Sequence, residues 1–175
     1  GKVYDSGNRW WGSPKESIEK LCEMGRIVST GKKLRFVKLP DDFPYKLIDN
    51  LWVGHGGAAN PIYVVQTNSD VYEKCMLMST QASDIVLDIT CGSGTTAFAA
   101  EKYGRRWITC DTSRVAVTLA KQRLMTSNFD YYKLAHPNEG ISSGFEYDSC
   151  PHITQAGLSN NTPPQIEYFY DKPKK

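Results

Sequence analysis

Between residues 61 and 130, short apolar runs alternate with segments whose apolar positions recur every three or four residues. "IYVVQT" (62–67), "DIVLDI" (84–89) and "RRWITCD" (105–111) read as short buried strands. "SDVYEKCMLMST" (69–80) reads as a helix capped by Ser69, and "TTAFAAEKYG" (95–104) as a helix ending on Gly104. "SRVAVTLAKQRLM" (113–125) follows as a long amphipathic helix. Strands and helices in this alternation predict a parallel βαβ core, placing the chain in the α/β class.

The flanks are patterned differently. In residues 1–60, "SPKESIEKLCEMGR" predicts a helix with Ser13 as cap, Pro14 in its first position and Ile18, Leu21 and Cys22 on one face. "RIVST", "GKK" and "LRFVKL" then predict a hairpin. The stretch 40–61 is rich in turn formers and reads as a long connection. Trp10 and Trp11 are expected to pack under the first helix. Beyond residue 130 the pattern dissolves into polar, glycine- and proline-bearing sequence, expected to form a C-terminal arm. The predicted organisation is therefore an irregular helix-and-hairpin segment (1–60), an α/β core (61–130) and an arm (131–175).

Composition narrows the class. A net charge of +2 permits a local basic patch without implying a nucleic-acid partner. The five cysteines never form a C-x-x-C pair, which argues for a reducing, cytoplasmic setting and against a zinc ribbon. Cys150-Pro151-His152 has no second ligand pair, so no metal is expected. No apolar run approaches membrane-spanning length.

The chemistry concentrates where the first core strand meets its helix. Gly92-Ser93-Gly94-Thr95-Thr96-Ala97 fits G-x-G-x-x-[GA], a loop that brings backbone amides close to a ligand at a helix N-terminus. No lysine follows the glycines, so this is not a phosphate-transferring P-loop. Asp111, ending the next strand, stands where a carboxylate accepts hydrogen bonds from two ribose hydroxyls, with Thr112 and Ser113 beside it. Its plain alternative is a helix cap, a task Ser113 also suits.

Asp88 separates the cofactor classes. A carboxylate ahead of the loop repels a dinucleotide pyrophosphate and attracts a ligand bearing an ammonium and a sulfonium. S-adenosylmethionine carries both, and its ribose suits Asp111. The charge pattern therefore favours it over a nicotinamide cofactor, leaving an oxidoreductase as the alternative.

Residues 86–124 resemble the cofactor-binding region of DNA methyltransferases that modify exocyclic amines, adenine N6 or cytosine N4. The family's first motif reads roughly D-P-F-x-G-S-G-T-T. Here it is Asp88-Ile89-Thr90-Cys91-Gly92-Ser93-Gly94-Thr95-Thr96, with Ile89 in the proline position. Gln66-Thr67-Asn68 resembles the T-Q-K-P segment upstream, without its lysine and proline. The resemblance implies that Thr67 and Asn68 line the methionine end of the cofactor, though capping the next helix serves equally. "GFEYDSCPHIT" (144–154) resembles a stretch near the end of some large adenine-specific members.

The resemblance implies a Rossmann-like methyltransferase fold, double-stranded DNA as substrate and a bacterial or phage restriction-modification setting with its subunits as partners. It also exposes a gap. The family's [DNS]-P-P-[YFW] motif, which polarises the amine and stacks the flipped base, is absent. The nearest string, Asn60-Pro61-Ile62-Tyr63, lacks the second proline. No residue is therefore assigned as catalytic. With Gly1 in place of methionine, the expectation is an incomplete fold. It would be the C-terminal half of a methyltransferase whose catalytic half lies upstream, inactive by itself, adenine N6 being the favoured target. A catalytically inactive binding module is the further alternative. Lys32, Lys33 and Arg35, with Lys38, are the candidate DNA-phosphate contacts on the hairpin.

Overall fold

The structure is a computed structural model describing Tyr4, residues 12–31 and residues 33–175. Lys32, Trp10 and Trp11 lie outside the described residues. The element order is α1 (Lys15–Glu23), β1 (Ile27–Thr30), β2 (Lys33–Phe36), α2 (Ser69–Ser79), β3 (Ile85–Asp88), α3 (Thr95–Lys102), β4 (Arg106–Thr109), α4 (Arg114–Thr126), β5 (Tyr147–His152), α5 (Gln155–Asn160) and β6 (Gln165–Pro173). Single 3-10 segments lie at Pro40–Asp42 and Pro137–Ser143. β1 pairs with β2, β3 with β4 and β5 with β6. Contacts divide the chain into two units, residues 1–48 with 149–168 and residues 49–148 with 169–175.

In the first unit the predicted hairpin forms, antiparallel, with Ile27 opposite Phe36 and Thr30 opposite Lys33. α1 starts one residue later than the Ser13 cap implies. Pro14 is extended (φ −57°, ψ 155°), so it becomes the cap residue and no side chain bonds the first turn. Of the expected apolar face, Leu21 is fully buried while Cys22 is exposed. The connection after the hairpin is fixed by a paired charge. Arg26 donates Nη1 to Asp42 Oδ2 (2.6 Å) and Nη2 to Asp42 Oδ1 (2.9 Å). The Leu39 amide donates to the same carboxylate, at 2.7 Å. Such a bidentate pair adds geometric specificity to attraction.

The second unit holds the predicted core. β3 and β4 are parallel, with Ile85 opposite Arg106 and Asp88 opposite Thr109. Alternation along the strands sends Val86 and Trp107 onto Met76, Ala99 and Ala100, against which Tyr72 also packs. The fully buried alanines 97, 99 and 100 have little side chain to hold α3 away from its neighbours. On the opposite strand face Ile85, Leu87 and Ile108 are exposed, so "DIVLDI" is a strand buried on one side, not both. Buried Arg105 closes two helix ends, donating to Thr80 O (2.7 Å), Thr80 Oγ1 (3.1 Å) and Tyr103 O (2.8 Å). A cation there complements the negative ends of α2 and α3.

Three further expectations are corrected. α2 is capped by Asn68, whose Oδ1 accepts from the Asp70 amide (2.9 Å), and Ser69 is its first residue. Residues 62–67 are a turn, not a strand. The Ile62 amide donates to Gln66 Oε1 (3.0 Å) and the Gln66 amide to Tyr63 O (3.3 Å), bonds that fold the segment back on itself. Its ladder contact is a single bridge, Thr67 with Gly57. The C-terminal region contains β5, α5 and β6 where an arm was expected. "QIEYFY" carries a period of two that its tyrosines disguise. Among the described residues no helix is long and apolar enough to cross a membrane.

The Arg26 pair gives the first unit a pH signature. The guanidinium beside Asp42 holds its carboxyl below the usual carboxylate range. The stabilisation is therefore complete above the ordinary value of about 4 and is lost as pH falls through the lowered one. Asp42→Asn is expected to cost about 2 kcal/mol at neutral pH and to flatten the acid limb of a urea-midpoint-versus-pH profile.

Candidate cofactor site

The loop between β3 and α3 continues the strand pairing before it turns. The Cys110 amide donates to Asp88 O and the Cys91 amide to Cys110 O, both at 3.0 Å. At this point two acids face the loop from the two strands. Asp88 Oδ1 accepts from the Thr90 amide (3.0 Å). Asp111 bridges loop and helix, Oδ2 accepting from the Gly92 amide (2.9 Å) and Oδ1 from the Ser113 amide (2.8 Å). These amides hold the Asp111 carboxyl below its ordinary pKa, that of Ser113 contributing most. It stays ionised at neutral pH.

Neither Asp88 nor Asp111 has a side-chain cation in ion-pair contact among the described residues. Each carboxylate oxygen of Asp111 keeps a lone pair beyond the bond it accepts, and Asp88 keeps Oδ2. The site thus presents uncompensated negative charge and free acceptors.

The glycines shape the rest. Gly92 and Gly94 are left-handed, with φ of +51° and +75°. A Cβ on Gly94 would stand 2.9 Å from the Ala120 Cβ of α4, closer than carbons approach. Only glycine lets α4 cross this tightly over the start of α3. The buried hydroxyls of Ser93 and Thr96 have no hydrogen-bond partner among the described residues. Burial pushes the Cys91 thiol up, and the neighbouring acids add to the effect.

The structure brings together Asp88, Thr90, Cys91, Gly92, Ser93, Gly94, Asp111 and Ser113, while Thr95 and Thr96 open α3. Ser113 also caps α4, its Oγ accepting from the Ala116 amide (3.3 Å), with Thr112 exposed beside it. The cap of α4 is therefore Ser113, while Asp111 ties the loop to the start of the helix through the Gly92 and Ser113 amides. Asn68 has its side-chain oxygen committed to capping α2, and Thr67 lies in the bridge to Gly57. Lys33 and Arg35 are exposed on β2, two residues apart and so on one face, with Lys38 exposed beyond. His152 stacks on Phe43 at 4.2 Å and its Nδ1 lies 3.3 Å from Glu167.

Two participants were missed from sequence. Ala120 is legible only as the small residue that a close helix crossing demands. Tyr63, weighed as part of an incomplete catalytic string, packs on the loop at Gly92.

The profile of a family described as DNA methylase, the N6 and N4 amino-methylating enzymes, matches residues 30–122. The chain belongs to this DNA methylase family. Type II methyltransferase M2.DpnII of Streptococcus pneumoniae is 34% identical over 77 residues, 44% of this chain and 26% of that protein. M2.LlaDCHI of Lactococcus lactis subsp. cremoris is 34% identical over 73 residues, 42% and 24% of the two chains. M1.MboII of Moraxella bovis is 35% identical over 66 residues, 38% and 25%. The matched stretch thus spans about a quarter of each relative. DNA methylases of this family use S-adenosylmethionine as methyl donor.

The loop's construction predicts two outcomes. Gly94→Ala is expected to cost about 2–4 kcal/mol from the left-handed backbone and the contact with Ala120. Adding Ala120→Gly should recover the steric share alone, read as the difference between urea midpoints. Asp111→Ala should release the Gly92 and Ser113 amides to rapid hydrogen exchange while β3–β4 ladder amides stay protected. Unchanged protection at Gly92 would show that the staple does not form in solution.

Proposed function

We propose that this chain supplies the methyl-donor pocket for transfer of a methyl group to an exocyclic amine of double-stranded DNA, adenine N6 in preference to cytosine N4. The observation that carries the reading is the pair of carboxylates without cation partners, Asp88 and Asp111, on either side of a left-handed glycine loop. A ligand with a cationic end and a diol relieves the field of the first acid and fills the lone pairs of the second. S-adenosylmethionine has both, whereas a pyrophosphate would meet the two acids as a like charge. The resemblance of residues 144–154 to a stretch of adenine-specific enzymes supports the choice of base.

In this reading Asp111 accepts from the ribose hydroxyls, and Asp88 takes the amino-acid end. The unpartnered hydroxyls of Ser93 and Thr96 offer polar contacts from the loop, and Thr90, Cys91, Gly94 and Thr95 shape its wall. Thr112 and Ser113 flank the ribose, and Thr67 and Asn68 the methionine end. Bound there, the group supplies an electrophilic methyl on its sulfonium. The chain's own part is to hold and orient it and to keep Asp111 ionised. Residues 61–130 form this pocket within a Rossmann-like methyltransferase fold. Lys32, Lys33 and Arg35 of residues 1–60 contact DNA phosphates.

The amine-polarising motif is supplied by the other half of a complete enzyme, in a bacterial restriction-modification system. The exposed face of Ile85, Leu87 and Ile108 supports a missing neighbour, since parallel strands are ordinarily covered on both faces. The chain alone is accordingly expected to bind donor and transfer nothing.

Titration calorimetry with S-adenosylmethionine and, in parallel, NAD tests the reading. The methyl donor should bind and NAD should not. Asp111→Ala should weaken the donor roughly tenfold to a hundredfold, and Asp88→Asn should weaken it as well. A donor analogue lacking the ribose 2′-hydroxyl should bind the wild type less tightly and lose less than the natural donor does in Asp111→Ala, because only the 3′-hydroxyl still reaches the carboxylate. NAD binding alone would overturn the proposal.

A further inference from the structure

We propose that Tyr63 is a donor-contacting residue that closes the pocket over Gly92 and reads the positive charge of the sulfonium through its ring face. The inference rests on the donor reading above and adds to it the group that distinguishes the charged donor from its neutral product.

Position comes first. Tyr63 Cδ1 and Cε1 lie 3.6 and 3.7 Å from the point where a Cβ on Gly92 would stand, so the ring is in van der Waals contact with that point. Gly92 occupies a particular place between the two acids. Its own amide is held by Asp111, and the amide of Thr90, two residues back, is held by Asp88. In S-adenosylmethionine the sulfur joins the ribose to the amino-acid chain. A ligand whose ribose reaches Asp111 and whose ammonium reaches Asp88 therefore carries its sulfur across the intervening segment, the one Tyr63 covers.

The turn that presents Tyr63 is built to hold it there. Ile62 and Gln66 are tied by the amide-to-Oε1 bond, Gln66 donates back to Tyr63 O, and the Ala58 amide donates to Gln66 O (3.2 Å). Within this turn Val64 and Val65 are 94% and 78% exposed, while Tyr63 is half-buried. Burial of apolar surface by itself would favour turning the valines inward. The geometry instead turns in the one aromatic ring and leaves two β-branched side chains in water.

The ring face is also electrostatically free. Lys74 stands over Trp52, Lys102 over Tyr103, Arg123 over Phe98 and Lys172 over Phe169. Among the described residues no side-chain cation stands over Tyr63. An aromatic face attracts a cation most strongly where water is excluded, and a sulfonium is a cation that cannot be neutralised by losing a proton.

The test compares S-adenosylmethionine with S-adenosylhomocysteine, its uncharged thioether counterpart, by titration calorimetry of the full chain. Wild type, Tyr63→Phe, Tyr63→Leu and Tyr63→Ala are measured, with thermal melts to establish folding. The Leu variant fills the turn with apolar volume but no π face. The affinity ratio of charged to neutral ligand should fall roughly tenfold in Tyr63→Leu and Tyr63→Ala and should persist in Tyr63→Phe. An unchanged ratio, whether both ligands keep their affinity or weaken together, would overturn the proposal and reduce the ring to packing on the loop. Failure of the wild type to bind either ligand would overturn the donor reading itself, and this inference with it. Neither outcome depends on methyl transfer.

Discussion

The Asp111 carboxylate is the point through which the rest of the second unit is organised. One oxygen takes the amide of Gly92, in the loop after β3, and the other takes the amide of Ser113, at the start of α4. That bridge lies beyond the Cys91 and Cys110 amides, which carry the strand pairing into the loop. With it, the loop is drawn toward the second strand and α4 begins where Ala120 can meet Gly94. The stability of the crossing and the shape of the loop are therefore one constraint, set by a single side chain.

That constraint has an electrostatic consequence. Asp111 works as a staple because backbone dipoles, not a cation, satisfy it, and the same holds for Asp88 with the Thr90 amide. Two other carboxylates are used differently: Asp42 is closed by Arg26, and Glu73 by Lys102 and the Tyr103 hydroxyl. A molecule able to pair acids with cations at structural positions leaves two without an ion-pair partner among the described residues, on either side of its glycine loop. Their charge is available to a ligand at no cost in broken ion pairs.

The core and its loop were legible because several signals agree there. The strand-loop-helix-strand-helix order, the glycine spacing and the acids at the strand ends each come from a few adjacent residues. Ser113 declared itself as a cap by type and place. What escaped turned on local hydrogen bonds and backbone angles that composition does not show, or on partners distant in sequence. "IYVVQT" has the composition of a strand, but Gln66 turns its hydrogen bonds back on the segment and Val64 is left in water. β6 was hidden because Tyr168 and Tyr170 are both exposed, so an apolar-inside rule misreads their alternation. Pro14 and Asn68 moved two helix starts by one residue, since extended backbone at either position excludes it from the helix. Ala120 and Tyr63 matter through space alone.

The strand pair has two faces with different fates. Val86 and Trp107 satisfy one face of β3 and β4 against α2 and α3, and this face is sufficient to set the loop, the staple and the acids. The side chains of Ile85, Leu87 and Ile108 on the other face are exposed. They are the surface against which further structure gains by burying apolar area, about 25 cal/mol for each Å² covered. A layer added there stabilises the pocket without altering its charge. The two acids and the glycine loop are thus set by one βαβ unit, and the bare face is where a further layer would pack.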